Sequence, residues 1–333
     1  MSIRVAINGF GRIGRSVLRA LYVSARNEQI ILVAINDVEP VGRSLELLKN
    51  DVVDGTFMPE VKTDGDSLVV GHDEIYYFSQ VNPVKLPWKE LDIDVVLECT
   101  GAFAQAEQSY MHCLAGAKKV LISALSDKKI DATIVYGVNQ EVLQPEFRVV
   151  SNGSCTINCL APMLKVLHEE LGIDSGLSTT LHAYNKDQVL AERIDNSSPS
   201  IDGSLIPTQT HSPSSIGLVL SELDGKVDGL SIRAPTMNVA LVDVTFTSQK
   251  ETSVAEVNAL MQKAALSSAK GVLKYNTEPS VSADFIHDPA SCIFDSTQTM
   301  VKQGNLVKVV AWFDNEWGFS NRMLDTAEAM MRC

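Results

Sequence analysis

The segment Gly9-Phe10-Gly11-Arg12-Ile13-Gly14 constrains this chain more than any other feature. It follows RVAING, a short apolar run rich in β-branched residues, and opens RSVLRALYVSA, whose apolar side chains recur at helical spacing. A second apolar run, IILVAIND, ends at Asp37, so the first forty residues read as a βαβ unit with a parallel sheet. A bare GxGxxG is also found as a plain tight turn. In this strand-to-helix setting the glycines let the backbone approach a pyrophosphate at the helix N-terminus, and Asp37 stands where a carboxylate accepts hydrogen bonds from an adenine ribose. A carboxylate there repels a 2′-phosphate, which favours NAD over NADP as the cofactor.

Further apolar runs at DVVLECT, KKVLIS and DATIVYGV extend the alternation to about residue 150, giving an α/β Rossmann domain with a doubly wound parallel sheet. From Asn152 the texture changes. A long helical pattern, CLAPMLKVLHEELG, precedes strand-like stretches at LSTTLHA, LSIRA, VALVDVTF and LVKVVAWF, which predict an α+β catalytic domain with a mixed or antiparallel sheet. Between them NSSPSIDGS marks an irregular loop. A last helix, from about Asn315 to Met331, carries Met323, Leu324, Ala327 and Met330 on one face and can lie back on the first domain. The boundaries expected are 1–151 with 316–333 for the nucleotide domain and 152–315 for the catalytic domain. With 333 residues, two domains have ample material to bury cores.

Composition removes several functions. Lys and Arg number 28 against 41 Asp and Glu, a formal charge of −13, and no basic run is present, so nucleic acid is not expected as a main partner. No apolar run approaches the roughly 20 residues that cross a bilayer, and MSIRVAINGF lacks the pattern of a secretory signal, so a cytoplasmic protein with no membrane partner is expected. The six cysteines are too sparse for a disulfide framework and form no CxxC pair; free thiols are expected, and no metal site is assigned.

Cys155, in SNGSCTINC, stands where a turn becomes a helix. Backbone N–H groups and the dipole there favour a thiolate, so the position predicts a lowered thiol pKa and a nucleophile. Cys159, one turn on, reads as a small buried helix residue, with a regulatory disulfide or metal pairing as its alternatives.

NGFGRIGR, SNGSCTINC and WFDNEWGFSNRML, in this order along essentially the whole chain, resemble the glyceraldehyde-3-phosphate dehydrogenase family, which includes the erythrose-4-phosphate dehydrogenases. The resemblance implies Cys155 as nucleophile and His182 of STTLHAY as its base. The thiolate adds to an aldehyde, His182 takes the hemithioacetal proton, hydride passes to NAD, and an acyl-thioester remains. The backbone N–H of Cys155, with Thr156, would stabilise the developing oxyanion. Also implied are Gly9, Gly11, Arg12, Ile13 and Gly14 at the pyrophosphate, Thr100 and Gly101 of ECTGAF flanking the cofactor, Ser123 on its nicotinamide side, and Asn315 orienting the carboxamide. Ser154, Thr156, Thr210, His211 and Arg233 are the implied substrate and phosphate positions; a guanidinium fork at Arg233 suits phosphate oxygens. The partners implied are a small sugar phosphate, inorganic phosphate and further copies of the chain in a homotetramer.

The chain also departs from the family. The Arg-bearing stretch usual in the loop before IIP is replaced by the shorter NSSPSIDGS, leaving only Arg193 in the loop; Thr210 is followed by His211 rather than Gly, and Asn185 replaces a Thr. His211 reads either as a replacement phosphate donor or as an exposed loop residue. Three readings follow: phosphorylating oxidation of glyceraldehyde 3-phosphate, hydrolytic oxidation of erythrose 4-phosphate, and a low-activity regulatory paralogue.

Overall fold

The structure, a computed structural model, describes residues 2–51, 53–127, 129–184 and 203–333. The chain divides into two compact units, Met1–Ser154 with Ser320–Cys333, and Cys155–Phe319.

The first unit is built on a nine-stranded sheet. Its strands are β1 (Ile3–Asn8), β2 (Ile30–Asn36), β5 (Val61–Asp64), β6 (Ser67–Val70), β7 (Asp73–Phe78), β8 (Val95–Glu98), β9 (Lys119–Ile122), β10 (Ala132–Thr133) and β11 (Val149–Ser151); β3 (Asn50–Asp51) and β4 (Gly55–Thr56) form a small separate hairpin. The order is β10-β11-β9-β8-β1-β2-β7-β6-β5, parallel from β10 to β7 and antiparallel at β6 and β5. Chain order reverses between β1 and β8, the topological switch point of a doubly wound sheet, beyond whose strand ends ligands bind. The expected parallel sheet is present; the antiparallel β5–β7 extension was not legible in the sequence.

Helices α1 (Arg12–Val23), α2 (Val41–Lys49) and α3 (Ala106–Leu114) belong to this unit. Val17, Leu18 and Leu21 bury one stripe of α1, and Val33, Ala34, Trp88, Ile93, Val96 and Val120 share one core cluster. The strand expected through DATIVYGV stops after Thr133. Beyond it the Asn139 side chain accepts from the Val135 N–H at 2.8 Å and donates to the Thr133 carbonyl at 2.9 Å, replacing ladder bonds with a side-chain turn.

The second unit carries a mixed sheet of β12 (Ile173–Ala183), β13 (Ile206–Gln209), β14 (Val227–Ala234), β15 (Ala240–Ser248), β16 (Leu273–Asn276), β17 (Cys292–Asp295), β18 (Met300–Lys302) and β19 (Leu306–Phe313). Its order is β13-β14-β12-β15-β19-β17-β16, with β18 also on β19. β12 pairs parallel with β14 and antiparallel with β15. Helix α4 (Cys155–Leu171) contacts β12, β15, β17 and β19, burying Ile157, Leu160, Leu164 and Leu167, and α5 (Val254–Leu266) contacts α4.

The last helix, α6 (Trp317–Arg332), starts two residues later than its apolar pattern suggested. Asp314 accepts the backbone N–H groups of Glu316 and Trp317, satisfying donors that the first turn cannot pair. Met323, Leu324, Ala327 and Met330 are all buried. Within the first unit, the Lys119 ammonium donates to the Met330 carbonyl and Arg26 pairs with Asp325 and Glu328.

Candidate active site

In the first unit the switch point is shaped by glycines. Gly9 has φ +91°, and a Cβ there would lie 2.6 Å from the Thr100 nitrogen, so the loop after β1 packs directly on the loop after β8. A Cβ on Gly14 would fall 2.2 Å from the Gly9 carbonyl oxygen, which holds the helix against the turn. A Cβ on Gly11 would meet nothing within 4 Å. Gly11 is the N-cap of α1 and has no side chain to cap it, and the space a side chain would fill there is open, which suits the approach of an anion to the helix N-terminus. Ile13 is half-buried beside this turn, and Arg12 lies 3.6 Å from Asp51.

Asp37 is held by the same turn: its Oδ2 accepts the Phe10 N–H at 2.5 Å and its Oδ1 the Glu39 N–H at 2.9 Å. The carboxylate that the sequence assigned to a ribose therefore also braces the glycine turn, and a carboxylate has lone pairs for both tasks. Thr100 and Gly101, the latter at φ +73°, are exposed, and Ser123, directly after β9, is half-buried.

In the second unit Cys155 begins α4, and its Sγ lies 3.6 Å from His182 Nε2 near the end of β12. His182 Nδ1 is 2.9 Å from the Ala183 carbonyl. A carbonyl only accepts, so Nδ1 carries the ring proton and the Nε2 lone pair faces the thiol. Burial, and secondly the Arg233 charge, push His182 down to about 4.

Burial also raises the Cys155 thiol, against the Thr156 hydroxyl, the Arg233 charge and the backbone N–H groups of Thr156 and Cys155, which draw it down. The helix N-terminus thus acts in the direction read from the sequence, but desolvation outweighs it.

Arg233 lies opposite His182 in the β12–β14 register. Its Nη1 donates to the Ala183 carbonyl at 3.3 Å, while its buried Nε has no partner. Asn315 is buried with an unpartnered Oδ1, an acceptor that fits a carboxamide N–H. Ser154 is half-buried immediately before the nucleophile position. Thr210 and His211 follow β13, whose register places them beyond Leu230 rather than beside Arg233. His211 is exposed and lines a cavity of about 480 Å³ with Pro207, Thr208, Asp228 and Leu230; Cys155, His182 and Arg233 are not among the lining residues. Asn185, Arg193 and nearly all of NSSPSIDGS lie outside the described residues.

Residues 3–106 match the family model for the glyceraldehyde 3-phosphate dehydrogenase NAD binding domain, and residues 154–315 match that for the C-terminal domain. The chain belongs to the glyceraldehyde-3-phosphate dehydrogenase family. It is 53% identical to glyceraldehyde-3-phosphate dehydrogenase of Pseudomonas aeruginosa, over 99% of this chain and 98% of that one. It is 52% identical to the chromosomal enzyme of Cupriavidus necator, over 99% of both. Against the enzyme of Zymomonas mobilis the identity is 46%, over 100% of this chain and 99% of that one. Family membership makes this chain an NAD-dependent dehydrogenase.

Sequence reading missed a buried group beneath the family's cofactor loops. Glu98, 1% exposed, accepts from Asn8 Nδ2 at 2.5 Å, from the Thr100 N–H at 2.8 Å and from the Thr100 hydroxyl at 2.5 Å, and lies 3.1 Å from His112 Nε2. The signal was available in ECTGAF, where a carboxylate closes an otherwise apolar strand. Among the described residues no cluster of His, Cys, Asp and Glu is arranged to hold a metal, and no helix is long and apolar enough to cross a membrane. The six cysteines are all free.

Proposed function

We propose that this chain oxidises glyceraldehyde 3-phosphate with NAD and inorganic phosphate through a thioester on Cys155. The observation that carries the reading is the Cys155–His182 pair, with its imidazole lone pair aimed at the thiol. As sulfur attacks the aldehyde carbon, the thiol proton passes to His182 Nε2 and then to the new hydroxyl, giving a hemithioacetal. Backbone N–H groups at Cys155 and Thr156 stabilise the oxyanion on the way. His182 then removes the hydroxyl proton as hydride leaves the same carbon. Bound NAD supplies the hydride acceptor, which converts the hemithioacetal into a thioester. Phosphate attacks the thioester carbonyl, releasing the acyl phosphate and the Cys155 thiolate, which recovers its proton from His182.

NAD would be held by Gly9, Gly11, Arg12, Ile13 and Gly14 at the pyrophosphate, Asp37 at the ribose, Thr100, Gly101 and Ser123 along its length, and Asn315 at the carboxamide. The open space at Gly11 and the unpartnered Asn315 Oδ1 support this assignment. Residues 1–151 with 316–333 would form the NAD domain and 152–315 the catalytic domain. Arg233 would bind the substrate phosphate, a role supported by its partnerless Nε. Ser154 and Thr156 would meet the attacking phosphate; Thr210 and His211 line a cavity that does not include Cys155, His182 or Arg233 and would take no part in that step.

We also infer a cytoplasmic homotetramer. Leu177, Leu230 and Leu306, at 68%, 44% and 44% exposure, share one face of the mixed sheet, which supports burial against another copy. The erythrose-4-phosphate and regulatory readings gain no observation of their own, and the three relatives named above carry the glyceraldehyde name. The test is NADH formation with each aldehyde, with and without phosphate. Phosphate-dependent turnover of glyceraldehyde 3-phosphate is expected; a preference for erythrose 4-phosphate without phosphate would overturn the reading.

A further inference from the structure

The hydrogen-bond directions around Glu98 are forced from both sides. Gln80 donates its backbone N–H to Asn36 Oδ1 at 2.8 Å and accepts from Asn36 Nδ2 at 2.9 Å, which fixes the Asn36 amide. Asn36 Nδ2 also donates to Asn8 Oδ1 at 2.7 Å, so Asn8 must turn its Nδ2 toward Glu98. On the other side the Trp88 indole N–H, which only donates, meets His112 Nδ1 at 3.0 Å. The His112 proton therefore sits on Nε2 and points at Glu98, 3.1 Å away. With both Thr100 donors added, Glu98 faces four donors and must accept on both oxygens, which a carboxylate does and an amide cannot.

The two ends of this network belong to the two loops of the switch point. Asn8 is the residue before Gly9, and Thr100 is the residue against which Gly9 packs. We propose that Glu98 is a positioning residue for NAD: its carboxylate ties the loop after β1 to the loop after β8 and sets the opening that receives the pyrophosphate. Asn36, Trp88 and His112 keep its partners turned inward. This rests on the reading that NAD is held by the Gly9 and Thr100 loops.

Glu98→Gln tests it with NAD affinity by calorimetry and with amide hydrogen exchange in the ligand-free protein. Toward Asn8 and His112 the new amide N–H₂ meets two donors that cannot turn over, and toward Thr100 it meets the fixed backbone N–H, so either placement loses an acceptor and the Kd for NAD should rise about tenfold. The Thr100 and Ala102 amides should exchange faster, since Ala102 N–H is held by the Thr100 hydroxyl at 3.0 Å. The double variant Asn8→Asp/Glu98→Gln moves the carboxylate to position 8, where it accepts from Asn36, from His112 and from the new Gln amide. It should recover NAD affinity to within about threefold of wild type and restore slow exchange. Wild-type Kd and exchange in Glu98→Gln would overturn the proposal, as would a folded double variant as weak as the single one. If Glu98→Gln does not fold, Asn8→Ala removes one of the four donors without touching a side chain assigned to NAD. A Kd raised about two- to fivefold then supports the proposal, and an unchanged Kd overturns it. Gly11→Val tests the underlying reading separately: if it binds NAD normally, the loop assignment itself fails, whatever Glu98 does.

Discussion

Arg233 and His182 face each other across the parallel β12–β14 pairing, and the same guanidinium acts oppositely on the two reacting groups. Its charge draws the Cys155 thiol toward its anion and pushes the His182 imidazole away from its cation. Arg233 thus works against the burial that raises the thiol, and it keeps the imidazole a neutral base able to take the thiol proton as sulfur attacks a carbonyl.

Removing the nucleophile separates chemistry from binding. Cys155→Ser should lower aldehyde oxidation by at least about 10³-fold, because a serine hydroxyl stays protonated near neutrality and His182 is a weak base for it. NAD affinity, measured by calorimetry, should remain within about twofold. Turnover near wild type would remove Cys155 from the mechanism.

The depressed His182 pKa has a stability consequence whose sign is set by linkage. The unfolded imidazole takes up its proton near 6.5, the folded one only near 4, so the unfolded state binds more protons in between. Stability should therefore fall as pH drops from 6.5 toward 4, by at most roughly 3 kcal/mol from this group. Thermal unfolding across that window should show a shallower decline in His182→Gln. An identical slope in both proteins would mean that His182 titrates normally in the fold.

Arg233→Ala should raise KM for the sugar phosphate by about ten- to a hundredfold, the worth of one charge-assisted hydrogen bond, with a much smaller effect on KM for NAD. It also removes the cation beside Cys155, so iodoacetamide labelling of Cys155, followed by peptide mapping, should slow. Equal changes in both KM values would point to a general loss of fold at β14.

NAD should be preferred over NADP in kcat/KM, and Asp37→Ala should narrow that preference while weakening NAD. Two losses combine in the variant: the repulsion of a 2′-phosphate and the acceptor that holds the Phe10 N–H. A wild-type preference for NADP would refute the assignment.

His211→Ala should leave KM for inorganic phosphate within about twofold, since the exposed His211 lines a cavity apart from the Cys155–His182 pair, and a lost charge-assisted bond would cost more. Phosphate titration of initial rates decides it. A tenfold rise would make His211 a phosphate donor after all.

Local chemistry made much of this protein legible. Gly9 and Gly14 announced a turn between strand and helix because only glycine tolerates such approach, and the apolar runs of β1, β2, β8 and β9 marked a parallel sheet because both faces of such a sheet are buried. Cys155 stood out because helix termini have a recognisable sequence form.

Only the tertiary structure decided how these residues interact. The raised Cys155 thiol depends on burial, which packing alone sets, and the Arg233–His182 pairing depends on strand register between segments fifty residues apart. The role of Glu98 depends on which way four donors point, and two of those directions, at Asn8 and His112, are fixed by Gln80 and Trp88, partners from other parts of the chain. A linear pattern records residue type and spacing; desolvation and hydrogen-bond direction arise only when distant segments close around the same atoms.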